Sequence, residues 1–274
     1  MTTLQSSFDK LRRAKVHRDA LRADVEAFRA REPHDWVMRQ SDHLFDPTLS
    51  IVRVVIQVKE EMPDYWGLIF GDILTNLRAA LDHAVYSHAV ARVALTPRQE
   101  RQLHYPIITD PTKWPSAQTA LSSLIDPAVL TVIDQCQPFR HSAQDGGPDW
   151  HPLTILNRLV NLDKHRAVRL VLYTNESFSV TSSELPIESV DTAPVEMTNG
   201  AVAATIVLRL PPKTPRPAGR LDDAWTEAPL DIVNAYVENI EVPVVNDTRP
   251  LLFAADELVR AVDLALNTLK AAGC

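Results

Sequence analysis

Residues 64–93, DYWGLIFGDILTNLRAALDHAVYSHAVARV, decide how the rest of the chain is read. Pro63 and Asp64 suit a helix start, since proline gives up an amide hydrogen unsatisfied there anyway and a carboxylate complements the helix dipole. At about 100° per residue, Phe70, Leu74, Leu77, Leu81 and His88 fall on one side, while Ala80, Ala84 and Val90 keep other sides apolar or small. The spacing predicts one long helix, buried on most faces and ending before Thr96-Pro97 restarts the chain.

Such a helix needs partners. Residues 3–31 carry Leu4, Phe8, Leu11, Leu21, Val25 and Phe28 at amphipathic spacing, and residues 251–271 do the same through Leu258, Val262, Leu266 and Leu269. Shorter helices are expected over 97–104, 116–124, 127–136 and 151–162, divided by prolines that suit first turns and connections. β-Branched enrichment or alternation predicts strands over 36–39 and 50–59, with a loop near 42–48, and over 168–173, 178–182, 202–210 and 232–242. Residues 211–223, PPKTPRPAGRLDD, read as an exposed loop. The expected fold is α+β, a helical bundle around a long central helix with an antiparallel β-sheet. It is read as a single globular unit over 1–274, with a helical core from 1–32, 64–165 and 250–274 and a sheet part from 33–63 and 166–249.

Composition removes several classes of function. With 28 Lys and Arg against 35 Asp and Glu, the net charge of −7 opposes attraction to a polyanion over the whole surface, although a local basic patch is compatible with it. Two cysteines, Cys136 and Cys274, cannot build a disulfide framework or a cysteine-rich zinc module, which fits a reducing cytoplasm. Cys136 reads as an inert packed thiol and Cys274 as a frayed end. No apolar run reaches about 18 residues, so neither a signal peptide nor a membrane span is read, and the expected location is cytoplasmic. Seven glycines without G-x-G-x-x-G or a P-loop speak against a nucleotide cofactor. His83, Asp72, Asp163 and His165 are residue types that zinc or iron accepts, but no H-E-x-x-H joins them; the expectation is no cofactor and no metal.

Two polar segments stand out. Within residues 71–83, GDILTNLRAALDH, the groups Asp72, Asn76 and His83 share a stripe roughly 40° wide opposite Leu74, Leu77 and Leu81. If the helix is covered on both sides, each needs a partner, because a buried unpaired polar group costs about 1–3 kcal/mol. Arg78 and Asp82 form an i,i+4 pair on a third face and read as a solvated salt bridge worth about 0.2–0.5 kcal/mol. In residues 157–166, NRLVNLDKHR, Asn157 and Asn161 lie one turn apart, and Asp163, Lys164, His165 and Arg166 follow at a helix-to-strand junction. The basic groups complement a helix C-terminus or form an anion-binding edge for phosphate or carboxylate. Beside Asp72, Asn76 and His83 they would make a mixed pocket in which a carboxylate orients an imidazole for proton transfer.

The run Arg78-Ala79-Ala80-Leu81-Asp82-His83 resembles the R-x4–6-H motif of HEPN-domain proteins, a helical-bundle class that includes metal-independent endoribonucleases. The resemblance implies that Arg78 holds a scissile phosphate, that His83 does acid/base chemistry at a ribose 2′-hydroxyl, and that two copies face each other. The segments G-D-x-x-x-N-x-R-x-x-L-D-H and D-K-H-R together also resemble a group of bacterial proteins, a likeness that links the segments without bringing an activity. The sequence expectation is a HEPN-like RNA-processing or RNA-binding protein, with RNA or a small anionic ligand as partner and a homodimer as the assembly. Arg78 and His83 would be catalytic, with Asp72, Asn76, Asp82, Asn161, Asp163, Lys164 and His165 binding substrate. The alternative is a non-catalytic ligand-binding or protein-interaction protein with a buried polar network.

Overall fold

The computed structural model describes residues 4–142, 144, 146–163, 168–174, 179–210, 230–233, 236–242 and 247–274. It is an α+β structure. Its helices are α1 (Gln5–Ala30), α2 (Tyr65–Arg92), α3 (Pro97–Gln102), α4 (Trp114–Ser122), α5 (Pro127–Gln135), α6 (Pro152–Asp163) and α7 (Leu251–Ala271). The strands are β1 (His34–Asp42), β2 (Leu49–Val58), β3 (Leu170–Thr174), β4 (Ser179–Ser182), β5 (Ile187–Thr192), β6 (Val202–Arg209), β7 (Leu230–Val233), β8 (Tyr236–Val242) and β9 (Asp247–Pro250). The anticipated single sheet is three sheets among the described residues, ordered β1-β2-β6-β5, β3-β8-β9 and β4-β7. β5 and β9 were not foreseen, and the stretch expected as one strand over 232–242 divides into β7 and β8. β5 is exposed at nearly every position, so it shows none of the alternation that marks a half-buried strand. The proline-rich stretch 211–223 lies outside the described residues.

The chain forms two compact units. The first comprises Met1–Val25, Asp64–Leu170 and Ile240–Cys274, and the second Glu26–Pro63 and Val171–Asn239. In the first, α2 packs against α6 and α7, and α6 against α7. α1 lies antiparallel to α7, as its ion pairs show: Lys15 Nζ is 2.6 Å from Asp263 Oδ2, and Arg18 and Arg22 reach the two oxygens of Asp256 at 3.1 and 2.7 Å. Beneath these charges Leu4, Leu11, Ala14 and Leu21 are buried, as are Leu258, Val262, Leu266 and Leu269 of α7. Burial of such side chains stabilises by roughly 1.5–3 kcal/mol each, far more than the ion pairs at the rim.

Two helices of this unit begin on neutral imidazoles. His151, just before Pro152, accepts the Leu153 amide on Nδ1 at 3.2 Å; His88 of α2 accepts the Asp126 amide on Nε2 at 3.2 Å, at the start of α5. Cys274 departs from the expectation of a frayed end. Its thiol is buried and lies 3.6 Å from the Ala84 carbonyl, and burial, followed by the charge of Asp126, pushes its pKa up to about 11.

In the second unit β1 pairs antiparallel with β2 from His34 opposite Val58 to Asp42 opposite Ser50, and β2 pairs with β6 across a bulge between Val54 and Val55. Val52, Val54, Ala204, Ile206, Leu208 and Leu230 form its core, with Trp36 and Met38 against them. The loop between β1 and β2 is closed by His43 Nδ1, which accepts the Asp46 amide, and by Asp46, which accepts from Thr48. Glu238 is buried in this unit and paired with Arg29.

Candidate functional site

α2 carries the first polar segment, and its two faces treat polar groups differently. Arg78 donates from Nε to Asp82 Oδ2 at 3.2 Å, its Nη2 stands 3.0 Å from Asp82 Oδ1, and the same Nη2 donates to the Tyr105 carbonyl at 2.8 Å. Asp82 Oδ1 in turn accepts the Tyr105 amide at 2.9 Å. The pair thus satisfies both backbone groups of a residue that lies in no helix or strand, where sheet or helix bonds are not on offer. Only 15% of the Arg78 side chain is exposed, so the expectation of a solvated salt bridge is corrected: the pair is a clamp on the 103–110 connection. Tyr105 is completely buried beside Cys136, and burial holds its phenol well above the ordinary range while also raising the Cys136 thiol. Arg78 Nη1 is buried with no partner among the described residues.

His83 points elsewhere. In a regular helix it sits about 140° from Arg78, and its Nδ1 is 2.7 Å from Ser6 Oγ of α1. The stripe that would need partners if the helix were covered on both sides is only partly covered: Asp72 is exposed, and Asn76 and His83 are half-buried. Asn76 spends its amide on its own helix, donating to the Asp72 carbonyl at 2.8 Å. Along the same side Leu68, Tyr86 and Val90 are exposed apolar side chains. The buried residues of α2 span about half of its circumference, and the exposed positions before its last turn gather on this one side.

The two polar segments meet at one point. A Cβ on Gly71 would fall 2.7 and 2.8 Å from the oxygens of Asp163, the last residue of α6. Glycine at 71 is what lets that carboxylate rest on α2. One turn earlier, a Cβ on Gly67 would be 3.1 Å from the Val168 carbonyl, so the paired glycines mark where the chain around α6 crosses. Burial, and then the nearby charge of Asp72, raise the pKa of Asp163. Asn161 is exposed on α6, whereas Lys164, His165 and Arg166 lie outside the described residues.

Arg78, Asp82 and Tyr105 thus form one constellation, and Asp72 with Asp163 another, while His83 belongs with Ser6. Sequence reasoning missed Ser6, Tyr105 and the contact side of Gly71. Only Gly71 left a signal: glycine inside a helix costs roughly 0.5–1 kcal/mol against alanine, so two of them four apart point to a close neighbour. Among the described residues no group of three or more His, Cys, Asp or Glu side chains is arranged to hold a metal ion, and no helix is long and apolar enough to cross a membrane.

Comparison with protein-family models, with curated proteins and with solved structures produced no match. What fold and site define is a class by architecture: an α+β protein whose longest helix clamps an irregular connection on one face and offers a mixed polar and apolar strip to water on another.

Proposed function

We propose that this chain is a non-catalytic interaction protein, in which Arg78 and Asp82 hold the fold together and the outer strip of α2 meets a partner. The observation that carries this reading is the commitment of the Arg78 guanidinium to Asp82 and the Tyr105 carbonyl. An arginine that steadies a scissile phosphate needs its donors directed at the ligand; these are directed inward. For Arg78 and His83 to act on one phosphate, the helix would have to deform or a second subunit would have to supply one of them.

The outer strip has what recognition surfaces use: apolar side chains able to desolvate, with hydrogen-bonding groups between them. The test is an RNA cleavage assay with purified full-length protein in chelator, using wild type, Arg78→Ala and His83→Ala. The expected result is no cleavage by any of the three, with Arg78→Ala reading out as a loss of stability. Wild-type cleavage that disappears in His83→Ala at unchanged melting temperature would sink the proposal and restore the RNA-processing reading.

A further inference from the structure

On the face of the four-stranded sheet turned away from Val52 and Val54, residues paired across the strands form rows. One row runs Arg39 of β1, Arg53 of β2, Thr205 of β6 and Asp191 of β5. Arg39 and Arg53 are thus directly opposed, with β-carbons about 5 Å apart, and like charges so placed destabilise a ladder. Both are exposed. Arg29, Arg31 and Arg209 of the same unit each hold a carboxylate, that of Glu238, Glu60 and Glu188 respectively. Among the described residues Arg39 and Arg53 hold none: Arg39 makes no hydrogen bond or ion pair, and Arg53 makes a single long contact, from Nη1 to Ser41 Oγ at 3.5 Å.

We infer that this opposed pair, with Ser41 beside it, is a binding site for a small phosphate dianion, either inorganic phosphate or the terminal phosphate of a small phosphomonoester. Two positive charges balance the dianion, and the repulsion that the pair carries alone becomes attraction toward a shared ligand. Each guanidinium is a planar fork whose N–H donors match two oxygens of a phosphate. The contact to Ser41 shows which way Arg53 leans: across the strand pair toward β1, the side that carries Arg39. Ser41 shares that face two residues beyond Arg39, and since its Oγ accepts from Arg53, its own O–H is left to donate to a third oxygen.

Protection of the sheet edge accounts for a charge at Arg39, because β1 is an edge strand, but Arg53 lies on the inner strand β2. Asp191 does not neutralise the pair: it stands two strands from Arg53, roughly 10 Å at the usual strand spacing. The carboxylate on the same face of β1, Asp35, is held by Lys59 at 3.0 Å. A nucleic-acid strand also carries phosphate, but it asks for a run of basic groups along its backbone. The rows on either side of this one carry Val37 with Val55 and Ser41 with Ile51 instead. One isolated pair suits one phosphate. The inference goes beyond the interaction reading above, since the site lies in the second unit and does not involve α2.

The experiment is amide and guanidinium NMR of the full chain at about pH 8, where a phosphomonoester is dianionic, titrated to about 30 mM with inorganic phosphate and separately with glycerol 3-phosphate at constant ionic strength. Because the site is open to water, a dissociation constant of roughly millimolar order is expected, with shifts confined to Arg39, Ser41, Arg53 and their strand neighbours. Arg39→Gln and Arg53→Gln should each weaken binding at least about fivefold. Each should also raise the melting temperature by on the order of 1–2 °C in low-salt buffer without phosphate, since the repulsion is relieved; an arginine with only a structural role would lower it. Tighter binding of glycerol 3-phosphate than of phosphate would identify the ester as the source, and the reverse the free ion. Wild-type resonances that do not move, shifts that persist unchanged in Arg39→Gln, or a short single-stranded oligonucleotide that binds the pair more tightly than either phosphate, overturns the inference.

Discussion

At the residue scale the clamp on Tyr105 and the glycine under Asp163 make separable predictions. Asp82→Ala strands a mostly buried guanidinium together with the Tyr105 amide, and a loss of about 2–4 kcal/mol is expected in urea denaturation, given the cost of breaking buried charge pairs. Arg78→Lys should recover little of an Arg78→Ala loss, because an ammonium cannot span both Asp82 oxygens and the Tyr105 carbonyl in one plane. Asn76→Ala, which removes only a bond to its own helix, should change stability by less than about 0.5 kcal/mol. The glycines differ by what opposes them. Gly67→Ala presses on the Val168 backbone carbonyl and should cost about 1 kcal/mol. Gly71→Ala meets the end of a side chain that can rotate away, so the helix gain offsets the clash and the net change stays small. Its signature is instead the titration of Asp163, which should return toward the ordinary carboxylate range by NMR. In the native protein the raised Asp163 pKa means that the folded state holds more protons, so its contribution to stability declines as pH rises from about 3.8 through the folded value.

At the element scale the histidines that start α5 and α6 set an acid sensitivity of opposite sign. Burial, and then His141, lower the His151 pKa to about 4, and burial also lowers His88. The unfolded chain therefore binds more protons between about pH 4 and 6.5, and stability should rise with pH across that window and level off above it. An increase on the order of 2 kcal/mol from His151 is expected between its ends, with His151 partly exposed and so discounted. His151→Asn, which keeps an acceptor for the Leu153 amide and removes the titrating group, should flatten the slope of urea midpoint against pH; an unchanged slope would place the acid sensitivity elsewhere. The helices themselves were legible because repeats such as Leu258, Val262, Leu266 and Leu269 put a continuous apolar line on one side. The capping partners were not, since His88 reaches Asp126 across 38 residues of chain. Helical phase likewise grouped Asp72, Asn76 and His83 correctly as a line but could not say whether that line faces protein or water.

At the scale of the whole molecule, two compact units share a chain that passes between them more than once, so each can be probed by a pair internal to it. Glu238 is 1% exposed and depends on Arg29, and Arg29→Ala should destabilise the second unit by about 2–4 kcal/mol. Hydrogen exchange should then accelerate in β2 and β6 while amides of α2 and α7 keep their protection; uniform acceleration would show that the units open together. By itself the sequence determined the α+β class and the long helices expected over 3–31, 64–93 and 251–271, because periodicity is a local property. Tertiary structure alone decided that the described strands divide among three sheets, that Arg78 and Asp82 turn inward onto Tyr105, and that the polar stripe of α2 looks outward. The reason is physical: helical phase fixes which residues share a face, but only the packing of α6 and α7 fixes which face is left to water.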